Sequence, residues 1–425
     1  TLGTTIEWYD FFLYGTAATL VFPKLFFPTF NPFVGTLLSL TTFLVGFIAR
    51  PIGGVVFGHL GDRIGRKSTL IATLLLMGIA TFVVGFLPGY ATIGIAAPIL
   101  VSIMRFAQGL GVGGEWGGSV LLALEYGHER NRGFWASWPQ AGVPLGLLLS
   151  SLAVAVFAGI SGDQFGNWGW RIPFFLSAIL IIIGLYIRLR ILETPLFSKI
   201  KEEGTQAKAP VIDVIARNWK EILLSAGARF VEQAPFYLFT TFVIVYGVDH
   251  LGLNKQLILA GTYIAAIVEL FTIPWFSFLS DRYGRRRWYL IGCVIMLLFA
   301  FPYFLLLNTL NPVMVIIGIV LSLALCHAFV YGPQAALIAE NFGTRLRYSG
   351  ASIGYQLAAP FAGGLAPLIA TALLKNYSGS FVPVAIYIVI LAVISFASVL
   401  GLRELSQADI SAEEDVDTSH MVSAD

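Results

Sequence analysis

Long apolar runs separated by short polar breaks follow one another from Leu2 to about Arg403. A bilayer core of about 30 Å takes roughly 20 apolar residues per helix. The breaks therefore mark out twelve spans, near 2–22, 35–60, 68–88, 92–126, 132–158, 170–190, 219–247, 256–280, 287–308, 312–341, 347–374 and 381–402. The fold class expected is all-α, a polytopic membrane protein of two six-helix bundles. The fourth and tenth runs are over-long, which points to tilt or to a protruding turn.

The division into two rests on a repeat. GHLGDRIGRK, Gly58 to Lys67, returns as SFLSDRYGRR, Ser277 to Arg286, 219 residues later in a chain of 425. Self-similarity at half the chain length means two copies of one unit. Glu125, Arg132 and Gln140 likewise return as Glu340, Arg347 and Gln356, offset by 215 to 216 residues. The expected organisation is a bundle over 1–191, a linker over 192–218, a second bundle over 219–402 and a disordered acidic tail over 403–425. Two copies entering the membrane in the same sense make a parallel repeat, whose substrate site lies near mid-membrane between the halves.

Composition agrees: the chain is 57% apolar and 12% charged, against about 25% charged for a soluble domain. The net charge of +2 says little, but its distribution sets the orientation. Lys and Arg crowd the even-numbered connections, among them Arg63, Arg66, Lys67, Arg188, Arg190, Lys199, Lys201, Lys208, Arg282, Arg285 and Arg286. The odd-numbered ones hold only Lys24, Lys255 and Lys375, with Arg171 at the mouth of the sixth span. Both termini and the linker are therefore expected in the cytoplasm. No cleavable signal peptide is visible, and a chain opening on Thr1 implies a trimmed start. Cys293 and Cys326 lie in apolar runs, which offers neither a disulfide framework nor a metal site. No GxxxxGK[ST] occurs, so the signature of ATP-driven pumping is missing.

Charges inside spans are costly, and each is a functional hypothesis. Spans 1, 4, 7 and 8 carry Glu7, Asp10, Arg105, Glu115, Arg229, Glu232 and Glu269; span 2 adds Arg50 and span 10 adds His327. Counting depth at 1.5 Å per residue brings Asp10 and Arg105 level near mid-membrane. They are the first choice for a proton-coupling pair, with Glu7 second and Glu7–Arg50 a further possible pair; a permanent salt bridge tying spans 1 and 4 is the plainer reading. In span 7, Arg229 and Glu232 share a face with Gln233 and Phe236, next to Pro235, which kinks the helix or frees a carbonyl. That face is the candidate substrate site of the second half. Tyr14, Trp116, Gln140, Tyr237 and Gln356 are candidate cavity lining, although polar side chains also glue helices. Arg50 alternatively caps freed carbonyls or snorkels, His327 is either a satisfied core histidine or a relay, and Glu269 has only His327 or Arg229 within depth. The glycines of RFAQGLGVGGEWGG, Arg105 to Gly118, read as close-packing positions.

These stretches resemble a known family. GHLGDRIGRK and RFAQGLGVGG are similar to signature motifs of the major facilitator superfamily. IEWYDFFLYG (Ile6 to Gly15), RPIGGVVFGHLGDRIGRK (Arg50 to Lys67), the GGEWGG run, WGWRIPF (Trp168 to Phe174) and RYSGASIGYQ (Arg347 to Gln356) resemble its metabolite:proton symporter family. The resemblance spans nearly the whole chain. It implies a rocker-switch transporter in a prokaryotic inner membrane, taking up a small metabolite with a proton and needing no other cofactor. It implies that Asp62, Arg63, Arg66, Lys67, Asp281 and Arg282 form cytoplasmic gate contacts with Glu125, Arg132, Glu340 and Arg347. Ser277 and Ser280 depart from the small glycine-like positions of the motif, so the second latch is expected to pack less tightly. Family substrates such as shikimate, 2-oxoglutarate, citrate, proline and betaine share a carboxylate, which suits Arg105 or Arg229 as anchor.

The expected function is proton-coupled symport of a small carboxylate-bearing metabolite by a monomer embedded in lipid, with no nucleic-acid partner. Antiport or facilitated transport, including efflux of amphipathic compounds, is the runner-up. A membrane enzyme would need a nucleophile, metal set or acid–base constellation of recognisable spacing. A receptor would usually carry a soluble output domain, and a channel would not need charged latches in both halves.

Overall fold

The computed structural model describes residues 1–28, 32–190, 193–194, 198, 202 and 209–406. Twelve membrane helices follow the twelve apolar runs, and their ends fall within a few residues of the polar breaks. They are α1 (Leu2–Leu20), α2 (Pro32–Ile64), α3 (Arg66–Val84), α4 (Ala96–Tyr126), α5 (Arg132–Ser161) and α6 (Arg171–Arg190). The second half holds α7 (219–250), α8 (Lys255–Tyr283), α9 (Arg285–Asn308), α10 (Pro312–Glu340), α11 (Arg347–Asn376) and α12 (Val382–Gly401). No strand occurs among the described residues.

Ten of the twelve are long and apolar enough to cross a bilayer by length and composition. α1 falls short because Glu7 and Asp10 interrupt it, and α7 is broken at Arg229; beyond the break it passes into wider π turns at Leu238–Phe242 and Val245–His250. The π turns Leu321–His327 in α10 and Ala359–Gly364 in α11 also lie in the second half. Such bulges re-aim side chains and gather at functional sites. Of the expected linker, the described part folds as a short helix, Pro210–Arg217, against α2 and α11. Lys199, Lys201, Lys208 and the tail from 407 onward lie outside the described residues.

The halves meet as the repeat requires. α2 packs on α11 and α5 on α8, which exchanges helix numbers by six across the junction. The single-residue turns between α2 and α3 and between α8 and α9 are also equivalent. Gly65 and Gly284 take φ of 120° and 92°, a region that L side chains resist, so the motif places its glycine where the chain reverses.

Within the first half, α2 and α4 approach backbone to backbone. A Cβ on Gly109 would overlap the Gly46 carbonyl, and one on Gly113 the Arg50 carbonyl. The close-packing reading of these glycines therefore holds. We expect Gly113→Ala to lower the thermal unfolding midpoint in detergent, since overpacking costs about 1–3 kcal/mol. Gly159→Ala, where nothing lies within 4 Å, should leave the midpoint unchanged.

Candidate functional site

Two polar systems are built from the in-membrane and motif residues. The first lies at the helix ends carrying the repeated motif. Asp62 accepts hydrogen bonds from the backbone N–H groups of Tyr348 and Ser349 (3.2 and 2.8 Å), which open α11. Asp281 does the same for Gly133 and Phe134 at the start of α5, both at 2.9 Å. Each motif aspartate thus sits on the positive end of a helix belonging to the other half. Arg66 holds Asp62 (3.6 Å) and Glu125 (3.5 Å), while Arg285 holds Asp281 (2.7 Å) and Glu340 (2.6 Å). Arg132–Glu340 (3.4 Å) and Arg347–Glu125 (3.8 Å) cross the junction.

The expected gate residues Asp62, Arg66, Glu125, Arg132, Asp281, Glu340 and Arg347 therefore come together, and three others do not. Arg63 and Arg282 are exposed, the latter lying over Phe278 at 4.4 Å, and the Lys67 amine donates to the Leu189 carbonyl at 2.9 Å. In a helix only one stripe can face the partner, and Arg63 and Arg282 directly follow the aspartates that occupy it. Arg285 is the hub that the sequence reading left out; its equivalence to Arg66 by the repeat offset was the available signal. The second latch is also not looser. Ser277 and Ser280 are fully buried, and Gly133, which stands where the first copy has Tyr348, lies against the side chains of Arg285 and Asp281.

The second system lies deeper. Asp10 and Arg105 form no ion pair: Asp10 accepts from Ser177 of α6 at 2.5 Å. Arg105 donates to Gln108 at 3.1 Å and lies over Phe11 and Tyr14 at 4.2 and 4.4 Å. Successive helix residues turn by about 100°, so Phe11 rather than Asp10 faces α4. Depth along the axis was right; rotation about it was not. Glu7 does not meet Arg50 either. It shares Arg188 (3.3 Å) with Glu115 (2.5 Å), and Thr73 donates to Glu115 at 3.2 Å. Arg188, counted from sequence among loop charges, is 5% exposed because α6 carries it inward beside the Leu70 carbonyl, to which it donates.

Between the halves is a small cavity lined by Trp8 and Val143 of the first half and by Arg229, Glu232, Gln233, Phe236, Tyr237, His327, Tyr331 and Tyr355 of the second. Its space, ≈ 10 Å³, suits about one water molecule. Glu232 receives Arg229 at 3.3 Å; Arg229 also donates to the Tyr355 carbonyl and lies over the Tyr355 ring at 3.3 Å. His327 bridges Glu269 (2.6 Å) and Glu232 (3.4 Å). It is thus a buried histidine satisfied by two carboxylates, one of them the Glu269 expected within its depth.

The remaining expected lining residues stand behind this wall. Trp116 donates to Gln140 (2.9 Å) and stacks on Tyr355 at 3.5 Å, while Gln140 donates to the Tyr331 carbonyl at 3.3 Å. Gln356 donates to the Val112 carbonyl at 3.3 Å, and Tyr14 to Thr42 at 2.8 Å. All four stand outside the cavity wall, each with a polar atom committed to another helix. Trp8, Tyr331 and Tyr355 were missed, since an aromatic at helical spacing in an apolar run carries no distinguishing signal.

With this geometry in hand, comparison with known proteins is specific. The model of the Major Facilitator Superfamily matches residues 2–355. The inner membrane metabolite transport protein YhjE of Escherichia coli K12 is 42% identical, over 88% of this chain and 87% of its own. The shikimate transporter of the same organism is 40% identical over 96% and 93%. Among solved structures, the proton:xylose symporter XylE bound to 6-bromo-6-deoxy-D-glucose superposes with a TM-score of 0.78 at 18% identity, covering 96% of both chains. The chain belongs to the major facilitator superfamily of membrane transporters and has its twelve-helix fold.

Proposed function

We propose that the protein is a proton-coupled symporter that takes up a small carboxylate-bearing metabolite by alternating access. The observation that carries this reading is the cavity itself: a charged, aromatic-walled space between two halves related by sequence repeat, with mirrored latches on one side of it. At ≈ 10 Å³ the cavity holds no metabolite, so binding and release require the halves to rock apart. The names of the similar proteins, a shikimate transporter and a proton:xylose symporter, support the substrate class and the coupling ion. The distribution of Lys and Arg supports termini and latches on the cytoplasmic side.

In this reading Asp10 and the Glu7–Arg188–Glu115 cluster are the proton-carrying candidates of the first half. Two carboxylates sharing one guanidinium leave a negative charge that a proton can neutralise. The latches bias which way the cavity opens.

Reconstituted protein should accumulate at least one of shikimate, 2-oxoglutarate, citrate, proline or betaine above equilibrium under an inward proton gradient. No accumulation of any of them rules out the proposed symport. Asp10→Asn should keep substrate exchange and lose gradient-driven accumulation; full accumulation in that variant removes Asp10 as the carrier. Glu340→Gln strips one carboxylate from two buried arginines, and breaking a buried pair costs about 3–5 kcal/mol. We expect it to favour the inward-open form, read as faster alkylation of a cysteine placed at Ser349. Unchanged labelling would mean that the lattice is not a latch.

A further inference from the structure

Arg50 of α2 is 1% exposed, yet among the described residues no carboxylate pairs with it, and its Nε and Nη2 groups have no hydrogen-bond partner. It neither snorkels nor caps a carbonyl. The guanidinium lies over Phe11, Phe47 and Trp8, at 4.3, 4.5 and 5.3 Å from the ring centres. Rings answer the faces of a guanidinium through their π electrons, but they leave its N–H edge without acceptors. Two open donors in a buried, low-dielectric setting are expensive unless a ligand meets them.

The surroundings show which way that edge can be answered. Trp8, one wall of the box around Arg50, also lines the central cavity. Tyr237 of α7 packs its ring on Phe47 at 5.3 Å, and its hydroxyl is near Arg50 without a hydrogen bond of normal geometry to it. The Gln233 amide has neither its oxygen nor its nitrogen bonded, and the Tyr237 hydroxyl is also without a partner. Both line the cavity. The guanidinium that lines the cavity, Arg229, is turned to Glu232 and the Tyr355 carbonyl. Arg105 is turned to Gln108, Phe11 and Tyr14.

We infer that Arg50 is the substrate-carboxylate anchor, receiving the anion on its open edge while Gln233 and Tyr237 of the opposite half supply the remaining hydrogen bonds. A guanidinium fork takes a carboxylate through two parallel bonds, and the aromatic walls fit a compact, partly apolar body. Because the donors come from both halves, the ligand also ties them together, which is what a transported substrate must do for the closed form to be favoured when loaded. The inference rests on the transport reading above and adds to it the residue that recognises the acid group.

The test is uptake into proteoliposomes of each acid of the panel beside its primary amide, for wild type, Arg50→Gln and Arg50→Lys, with inorganic phosphate as a competing anion. Wild type should transport an acid and discriminate against its amide. Arg50→Gln should raise the KM for the acid about thirtyfold, the loss expected for hydrogen bonds to a charged group, and abolish the preference for acid over amide. Arg50→Lys should recover part of the affinity, as a point charge without the fork. Gel filtration and the melting curve report whether each variant is folded. If Arg50→Gln is not, Gln233→Ala and Tyr237→Phe serve in its place, each raising the acid KM several-fold. A folded Arg50→Gln that keeps the wild-type KM and acid preference overturns the anchor while leaving transport intact. So does phosphate competing as well as the acid, since the edge would then be a general anion site. If wild type takes up none of the acids, the transport reading and the anchor fall together.

Discussion

Charge inside a bilayer must be answered by charge or by hydrogen bonds, and most of this structure's polar arrangement follows from that constraint. Arg66, Arg132, Arg188, Arg229 and Arg285 each sit against at least one carboxylate. Where a carboxylate reaches the helix ends, it is answered by the first N–H groups of a helix from the other half, as at Asp62 and Asp281. Arg50 departs from the rule with two donors left open, and that departure is why it stands out as a site for something the protein itself does not supply.

The same constraint gives the repeat its physical sense. One motif copy supplies an aspartate to cap a helix and an arginine to hold that aspartate. A second copy rotated about the junction supplies the reciprocal pair, so the latch is made twice with the same parts. The two contacts differ in detail: Tyr348 lies against Gly61 in one copy, and Gly133 lies against Arg285 and Asp281 in the other. What both copies preserve is the pair of N–H donors received by the aspartate. The halves differ in depth, however. The first has its π turn, Phe165–Gly169, only in the connection between α5 and α6 and turns its acids toward α6, whereas the second breaks α7, α10 and α11 with π turns and directs Glu232 and His327 into the cavity.

The repeat and the family were legible as motifs, and the run of apolar and polar residues by itself determined the number of membrane helices and their ends. These depend on the cost of exposing backbone and charge to lipid, which acts residue by residue along the chain. The repeat offset also pairs Glu125 with Glu340 and Asp62 with Asp281, and the structure sets each pair in equivalent contacts. Only the tertiary structure decided which side chains meet. Helix rise gives depth from sequence, so Asp10 and Arg105 were rightly put at one level. The angle about the axis is set by packing, and it turned Phe11 to Arg105 and Asp10 to Ser177. For the same reason Arg188 changed from a loop charge to the partner of Glu7 and Glu115, and Arg50 from a helix-end residue to an unanswered cation beside the cavity. A position in sequence does not say what the neighbouring helix presents to it.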